Sequence, residues 1–204
     1  MLKGVWYLGQ AKMANKKVCV EGNIGCGKST ALEALGRLRP DLKLFPEPAV
    51  YGDILQKYDE DPTAWALPLC LRVLLSFVPA DTSPGTNIVE RSPMSARHVF
   101  SQLMFNDEKL SQDDWELYKE YCDVLGWMPD VIVYVQTPAD VCYQRMAARD
   151  GERSPGMQYI KRLEFQYETM LRYADIPVVR IDGTQTPDQV AAAIADVADK
   201  CADA

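Results

Sequence analysis

The sequence predicts an α/β fold in which a parallel five-stranded sheet is covered by helices on both faces. Short runs rich in Val and Ile alternate along the chain with longer stretches of helical periodicity. The short runs are continuously apolar, which is typical of strands buried on both faces. Strands that alternate with helices are joined by crossover connections, and these connections give a parallel sheet with helices on each side.

No linker, internal repeat or low-complexity tract divides the chain, so residues 17–204 are expected to form one domain. Its five strands are expected at residues 17–21, 42–46, 87–90, 131–136 and 178–181. Its helices are expected at residues 28–38, 52–57, 65–78, 94–105, 112–126, 139–149, 158–173 and 187–200. Two helix starts carry local signals, since Ser111 with Asp114 resembles a capping box and Thr186 precedes Pro187.

The composition is typical of a globular domain and excludes several classes of protein. Of the 204 residues, 48% are hydrophobic and 25% are charged, and the net charge is −7. Nucleic-acid binding is therefore not expected, because that function needs a basic surface. No apolar run reaches the roughly 18 residues of a membrane helix, so no membrane span is expected. The single His98 leaves no set of histidines for a metal site or a Ser-His-Asp triad.

The cysteines and the N-terminal segment bear on the cellular compartment. Six cysteines lie far apart without a C-x-x-C pair, which favours reduced thiols in a cytoplasmic protein, although the count alone leaves disulfides open. Residues 1–16 lack the apolar core of a secretory signal and the Arg and Ser content of a transit peptide. They are expected to be a disordered extension, with an organellar presequence as the alternative.

A phosphate-binding loop is the strongest functional signal. Residues 22–29 fit G-x-x-x-x-G-K-[ST] at every fixed position, between the first predicted strand and the first predicted helix. Glycines let several backbone N–H groups point at one phosphate, and the helix N-terminus adds partial positive charge. Lys28 is expected at the β- and γ-phosphates of ATP, and Ser29 at Mg²⁺. The alternative is a glycine-rich turn without a ligand. The expected ATP-binding residues of this loop are Gly22, Asn23, Ile24, Gly25, Cys26, Gly27, Lys28, Ser29 and Thr30.

The sequence beyond this loop favours a kinase of small molecules. GTPases recognise their base with N-K-x-D, which is absent here. Large ATPases usually have a hydrophobic strand that ends in Asp, whereas the third predicted strand ends in Glu90, followed by Arg91 and Ser92.

Charged side chains follow the second and third predicted strands. In an open parallel sheet, ligands bind at the carboxyl ends of the strands. Glu47 is placed there to accept the proton of an attacking hydroxyl, Glu90 to reach a metal ion, and Arg91 to offset phosphate charge. From these residues alone, an exposed loop acid at position 47 and a surface charge at position 91 stay open as alternatives.

An aromatic segment lies between these strands. D-P-x-x-W-A-x-P spans residues 61–68 and is preceded by Tyr58. Trp65 either stacks on a substrate ring or fills the core, and composition alone favours the core.

Four motifs in this order resemble the deoxyribonucleoside kinase family: G-x-x-G-x-G-K-S, Glu-Pro after the second strand, D-P-x-x-W-A-x-P, and E-R-S-x-x-S-A-R after the third. The resemblance covers residues 17 to 182. It implies a P-loop kinase fold with an arginine-rich lid and a homodimer packed through helices. It also implies nucleotide salvage, in which the γ-phosphate of ATP is transferred to the 5′-hydroxyl of a deoxynucleoside with Mg²⁺.

The resemblance assigns roles to individual residues. It implies that Glu47 is the catalytic base, that Arg91 and Lys28 act on the transferring phosphoryl group, and that Ser29 and Glu90 hold the metal ion. Beyond the loop, the ATP-binding residues that it implies are Arg145, Arg149 and Arg153 of the lid region and Asp182 near the adenine. The nucleoside-binding residues that it implies are Glu47, Tyr58, Trp65, Cys70, Arg91, Ala96 and Glu152. The lid is about two residues shorter than in the animal enzymes, and Tyr58 lies one residue further from D-P than usual.

Two positions bear on the base of the nucleoside. The family places a glutamine at position 70 for a bidentate contact with the base, whereas this chain has Cys70, which cannot donate and accept in that paired way. Either another side chain or water reads the base, or base selectivity is weak. Ala96 matches the thymidine-preferring and multisubstrate members. Pyrimidine deoxynucleosides are therefore expected as substrates, thymidine first and deoxycytidine second.

Two other functions remain as alternatives. Nucleoside monophosphate kinases such as thymidylate kinase share the loop and the sheet, but they typically carry Asp-Arg at positions 90 and 91 and lack D-P-x-x-W-A. A nucleotide-binding protein without turnover is a further alternative, against which Lys28, Glu47 and Arg91 argue.

Overall fold

The computed structural model describes residues 15–47, 52–78, 85–150 and 155–203. Residues 1–14, most of the expected extension, lie outside the described residues. So do Glu152 and Arg153, two of the residues expected in the lid.

Five parallel strands form one sheet in the order β2-β3-β1-β4-β5. They are β1 Asn15–Glu21, β2 Lys43–Phe45, β3 Gly85–Glu90, β4 Val131–Gln136 and β5 Val178–Asp182. The predicted fold class is confirmed. Strands β1 and β3 each begin two residues before the predicted start, because their polar N-terminal residues pair through the backbone from Asn15 and Gly85 onward.

Helices connect or follow these strands. They are α1 Lys28–Leu38, α2 Gly52–Glu60, α3 Pro62–Ser76, α5 Gln112–Leu125, α6 Ala139–Asp150, α7 Met157–Arg172 and α8 Pro187–Ala202. Helix α4 spans residues 93–106 and has three parts, Pro93–Ser95, Ala96–Ser101 and Gln102–Asn106. The capping signals at Ser111 and Thr186 are confirmed, since both residues form capping boxes.

The central strand β1 is covered on both faces. Val18 and Val20 are fully buried in a cluster with Leu35 of α1 and Ile194 of α8. Cys19 points to the opposite face of the strand, as alternation in a strand requires, and packs with the residues after α3 and in α4. The carboxyl end of β1, from which the phosphate-binding loop leaves, is thus held from both sides.

The start of α3 differs from the prediction. The sequence predicts helices at 52–57 and 65–78, whereas α2 continues to Glu60 and α3 begins at Pro62. The side chain of Asp61 accepts a hydrogen bond from the N–H of Ala64 at 3.1 Å, and Pro62 occupies the first helical position. An N-cap followed by proline is a strong helix start, and here it outweighs the later onset of apolar periodicity.

Helix α4 also differs, because the predicted α-helix at 94–105 is interrupted. Residues Ala96–Ser101 form a π-helix, whose turns close with i→i+5 hydrogen bonds. Short π-helical segments occur frequently at functional sites.

Two further features concern the described residues as a whole. None of their helices is both long and apolar enough to cross a membrane. All six cysteines lie in the described part of the chain, and each is a free thiol.

The Asp61 cap gives a stability prediction. Asp61→Ala should lower the free energy of unfolding by about 1 kcal/mol, because it leaves the Ala64 N–H without its acceptor. Asp61→Asn is the matched control, since asparagine caps about as well, and its loss should be only a few tenths of that value. Urea denaturation measures both. Equal losses in the two variants would show that the cap does not set the start of α3.

Candidate active site

The phosphate-binding loop leaves β1 in a conformation that requires glycine. Gly25 has a φ of +77°, and a Cβ atom there would lie 2.3 Å from the carbonyl oxygen of Cys142 on α6. Gly27 has a φ of +105° and directly precedes α1. Only glycine adopts such angles without strain, so the loop curls tightly around the N-terminus of α1.

Two buried side chains hold this loop in shape. The Lys28 ammonium donates to the carbonyl oxygens of Gly22 at 3.0 Å and Asn23 at 2.9 Å, so it lies across its own loop. The Asn23 amide donates to the carbonyl oxygen of Ile160 at 2.9 Å, and its oxygen accepts from the N–H of Ile24. The loop is therefore tied to α7.

Glu90 connects the loop with the end of β2. One carboxylate oxygen accepts from the hydroxyl of Ser29 at 2.8 Å, and the other accepts from the backbone N–H of Glu47 at 3.1 Å. Glu90 is buried, whereas Ser29 is exposed at the start of α1. A hydroxyl and a carboxylate side by side are hard oxygen donors of the kind that Mg²⁺ prefers, so these two residues fit the predicted metal site.

Arg91 and Glu47 form an ion pair across the same edge of the sheet. The Arg91 Nε donates to a Glu47 carboxylate oxygen at 2.9 Å. A second guanidinium nitrogen donates to the carbonyl oxygen of Gly22 at 3.3 Å. Arg91 has a φ of +64°, which is uncommon for a residue with a side chain and marks a sharp turn at the end of β3. The structure thus brings Glu47, Arg91 and the loop together, as the sequence predicts.

Three further residues of this network, Glu21, Ser92 and Tyr167, were not predicted as site residues. The Arg91 guanidinium also donates to the hydroxyl of Tyr167 on α7, which in turn donates to the Glu21 carboxylate at 3.3 Å. The Ser92 hydroxyl donates to the same carboxylate at 2.6 Å. Burial raises the pKa of Glu21, although its bond to Ser92 and the nearby Arg91 charge act in the opposite direction. The sequence contains a signal for Glu21, because an acid at the end of an apolar strand is unusual. It contains none for Tyr167, which lies far from the loop along the chain.

A cavity of about 650 Å³ opens beside the Glu47–Arg91 pair. Seven residues from the predicted sets line it, namely Ile24, Glu47, Tyr58, Cys70, Arg91, Ala96 and Arg149. Phe100 and Ser101 of the π-helix also line it, and the Phe100 ring lies 4.5 Å from the Arg91 guanidinium carbon. The cavity therefore extends from the reactive pair along α3 and α4.

Trp65 has a different position from the one expected of a substrate contact. It is not among the described residues that line the cavity, and it is half-buried rather than part of the core. The Lys57 ammonium lies 4.6 Å from the centroid of its ring, so Trp65 packs against α2. Trp65 lies in the first turn of α3, four residues after the Asp61 cap.

The remaining predicted ATP-binding residues lie around the loop. The Arg145 guanidinium donates to the carbonyl oxygens of Cys26 at 3.1 Å and Gly183 at 2.9 Å, so it joins the loop to the end of β5. Asp182 accepts from the N–H and the hydroxyl of Thr184, and these bonds lower the pKa of this exposed carboxyl. Thr30 is exposed in the first turn of α1. Their roles toward ATP stay predictions.

The fold and the site together define a P-loop phosphotransferase. A glycine-rich loop with Lys28 lies between the central strand and α1, and the Glu47–Arg91 pair faces it from the neighbouring strand ends. These are the parts of a site that positions a phosphate donor next to an acceptor.

Comparison with known sequences identifies the family. A sequence model described as deoxynucleoside kinase matches residues 18–203, and the chain belongs to the deoxynucleoside kinase family. It is 31% identical to thymidine kinase of Ictalurid herpesvirus 1 in an alignment of 186 residues, and the match covers 84% of this chain and 81% of that relative. It is 28% identical to mitochondrial thymidine kinase 2 of Macaca fascicularis in an alignment of 186 residues, and the match covers 83% of this chain and 70% of that relative. It is 24% identical to human deoxycytidine kinase in an alignment of 219 residues, and the match covers 82% of this chain and 83% of that relative.

The family resemblance expected from the motifs is therefore confirmed. The chain is an ATP-dependent phosphotransferase with an alcohol group as acceptor, and its activity is that of a deoxynucleoside kinase.

The buried Glu21 gives a prediction of pH dependence. Its pKa in the folded protein lies above that in the unfolded chain, so the folded protein binds more protons between these two values. The free energy of unfolding should therefore fall as the pH rises above about 4.5, by about 1.4 kcal/mol for each unit of pKa difference. Glu21→Gln should remove this decline, as measured by urea denaturation at several pH values. A decline of the same size in the variant would contradict the assignment.

Proposed function

We propose that this enzyme phosphorylates the 5′-hydroxyl of pyrimidine deoxynucleosides in nucleotide salvage, thymidine first and deoxycytidine second. The observation that carries the proposal is the Glu47–Arg91 ion pair, which lines the cavity and faces the loop that holds Lys28. Glu47 and Arg91 thus lie between the phosphate-binding loop, where ATP is expected, and the cavity that is available to the acceptor.

Glu47 is the base in this proposal. The attacking hydroxyl lies in the cavity, and the Glu47 carboxylate takes its proton as the oxygen attacks the γ-phosphate of ATP in line. The Glu47 side chain is 23% exposed, so it is partly withdrawn from water yet reaches the cavity. Arg91 orients the carboxylate through its Nε at 2.9 Å.

Cationic side chains balance the charge of the transferred group. Lys28 lies within the loop, Arg91 next to it, and Arg149 in the wall of the cavity. Positive groups fixed around a transferring phosphoryl group stabilise the charge on its oxygens. We assign the same role to Arg145 and Arg153. We also propose that Tyr58 and Glu152 bind the 3′-hydroxyl of the sugar.

Mg²⁺ belongs to this proposal through Ser29 and Glu90, whose oxygen atoms are hydrogen-bonded to each other at 2.8 Å. When bound there with ATP, the ion supplies positive charge at the phosphate oxygens. Ser29 and Glu90 would hold the ion at the N-terminus of α1, and Glu90 also accepts a hydrogen bond from the backbone N–H of Glu47.

Pyrimidine selectivity is supported by the wall of the cavity. Ala96 contributes only a methyl group there, which leaves room for an apolar substituent on the base. Relatives named thymidine kinase and deoxycytidine kinase are both similar to this chain, which agrees with a pyrimidine as the common substrate.

A homodimer and a cytoplasmic location remain proposals. The exposed apolar side chains of Leu117, Tyr121 and Val124 lie along α5 and support a dimer packed through helices. Such side chains on one helix are suited to contact with a second copy of the chain.

The base role gives a kinetic prediction. Glu47→Gln should lower kcat by about 100-fold or more, because the amide cannot accept the proton. Binding of ATP, measured by calorimetry, should be retained. Glu33→Gln on the exposed face of α1 is the matched control, and it should keep the kcat of the parent enzyme. Near-normal turnover by the Glu47 variant would remove Glu47 from the base role.

A panel of acceptors tests the substrate class. ADP release should be fastest with thymidine and next with deoxycytidine, and it should be slow with deoxyadenosine, deoxyguanosine and thymidine monophosphate. Turnover that is fastest with the monophosphate would identify a nucleoside monophosphate kinase instead. Fastest turnover with a purine nucleoside would overturn the pyrimidine assignment.

A further inference from the structure

One end of the cavity is formed by two sulfur atoms and one hydroxyl. We call it the thiol end and define it by Cys70 of α3 and by Ser101 and Met104 of α4. The Ser101 hydroxyl donates to the Cys70 Sγ at 3.1 Å, and this sulfur lies 3.6 Å from the Met104 Sδ. Cys70 and Ser101 are each 3% exposed.

Cys70 is a poor partner for a polar ligand at this end. A thiol is a weak donor, and its sulfur is a weak acceptor. The Sγ atom already accepts from Ser101. Burial raises the pKa of the Cys70 thiol to about 12, so the side chain is neutral at physiological pH. The Cys70 thiol therefore contributes packing at this end of the cavity and is unsuited to a strong hydrogen bond with a ligand.

The π-helix brings Ser101 to the cavity. In an α-helix, side chains five residues apart point in directions about 140° apart, since one turn takes 3.6 residues. The π-helix over Ala96–Ser101 closes its turn at i→i+5. Ala96, Phe100 and Ser101 thus lie on one face, and all three line the cavity. A regular α-helix would turn either Ala96 or Ser101 away.

We propose that the Ser101 hydroxyl, and not the Cys70 thiol, makes the hydrogen bond that recognises the polar edge of the pyrimidine base. This inference rests on the proposed function, since it assumes a pyrimidine deoxynucleoside in the cavity. A hydroxyl both donates and accepts, and it rotates to suit its partner. It accepts from the N3–H of thymine, and it donates to the N3 of cytosine. Recognition by one rotatable hydroxyl therefore gives weak discrimination between the two pyrimidines.

The test compares Ser101→Ala with the parent enzyme on thymidine and on N3-methylthymidine, which lacks the N3–H. Loss of one neutral hydrogen bond should raise the KM for thymidine about three- to tenfold. The kcat should change less than about twofold, because Glu47, Lys28 and Arg91 are untouched. The KM for N3-methylthymidine should stay the same or fall. Ser76→Ala is the matched control, because the Ser76 hydroxyl of α3 donates to the carbonyl oxygen of Val73 and Ser76 is not among the described residues that line the cavity. It should change the KM for thymidine less than about twofold.

The outcomes separate this inference from the function on which it rests. An unchanged KM for thymidine in Ser101→Ala, or an equal rise in Ser76→Ala, overturns the role of Ser101, while turnover of thymidine by the parent enzyme still supports the proposed function. A parent enzyme that neither binds thymidine and deoxycytidine in calorimetry nor phosphorylates them overturns both. Should Ser101→Ala fail to fold, Ser101→Cys keeps nearly the same volume, and the same rise in KM is expected from it.

Discussion

The Arg91 guanidinium connects four separate parts of the chain. It donates to Glu47 after β2, to the carbonyl oxygen of Gly22 after β1, and to the hydroxyl of Tyr167 on α7, while its own backbone ends β3. Arg91 is buried, and a buried charge is stable only where such partners surround it. The shape of the reactive end of the cavity depends on this one side chain, because each of its partners belongs to a different segment.

The sequence predicts those parts of the fold and site that depend on local patterns. Continuous apolar runs identify the strands, and the loop motif identifies Lys28, because its glycines are needed where they stand. Glu47 and Arg91 could be found because parallel strands carry their ligands at one edge. Tyr167 could not be found, since it reaches Arg91 only through the packing of α7. The π-helix was also missed, because no residue within Ala96–Ser101 marks the change from α-helical hydrogen bonding.

Cationic side chains gather at the phosphate-binding loop although the chain as a whole is acidic. The sequence carries a net charge of −7, yet Lys28, Arg91 and Arg145 cluster at the phosphate-binding loop. The acids nearest to them, Glu21, Glu47 and Glu90, are all engaged in hydrogen bonds or an ion pair. An anionic ligand at the loop therefore meets fixed cationic side chains that the net charge of the chain does not reveal.

Glu90 has a consequence for how the two substrates are bound. One oxygen of its carboxylate accepts from the hydroxyl of Ser29 at the start of α1. The other accepts from the backbone N–H of Glu47, the proposed base. A ligand that moved Glu90 on one side would therefore move a group that the other side also contacts. Any coupling of donor and acceptor affinity through Glu90 would be reciprocal, so each substrate would change the dissociation constant of the other by the same factor.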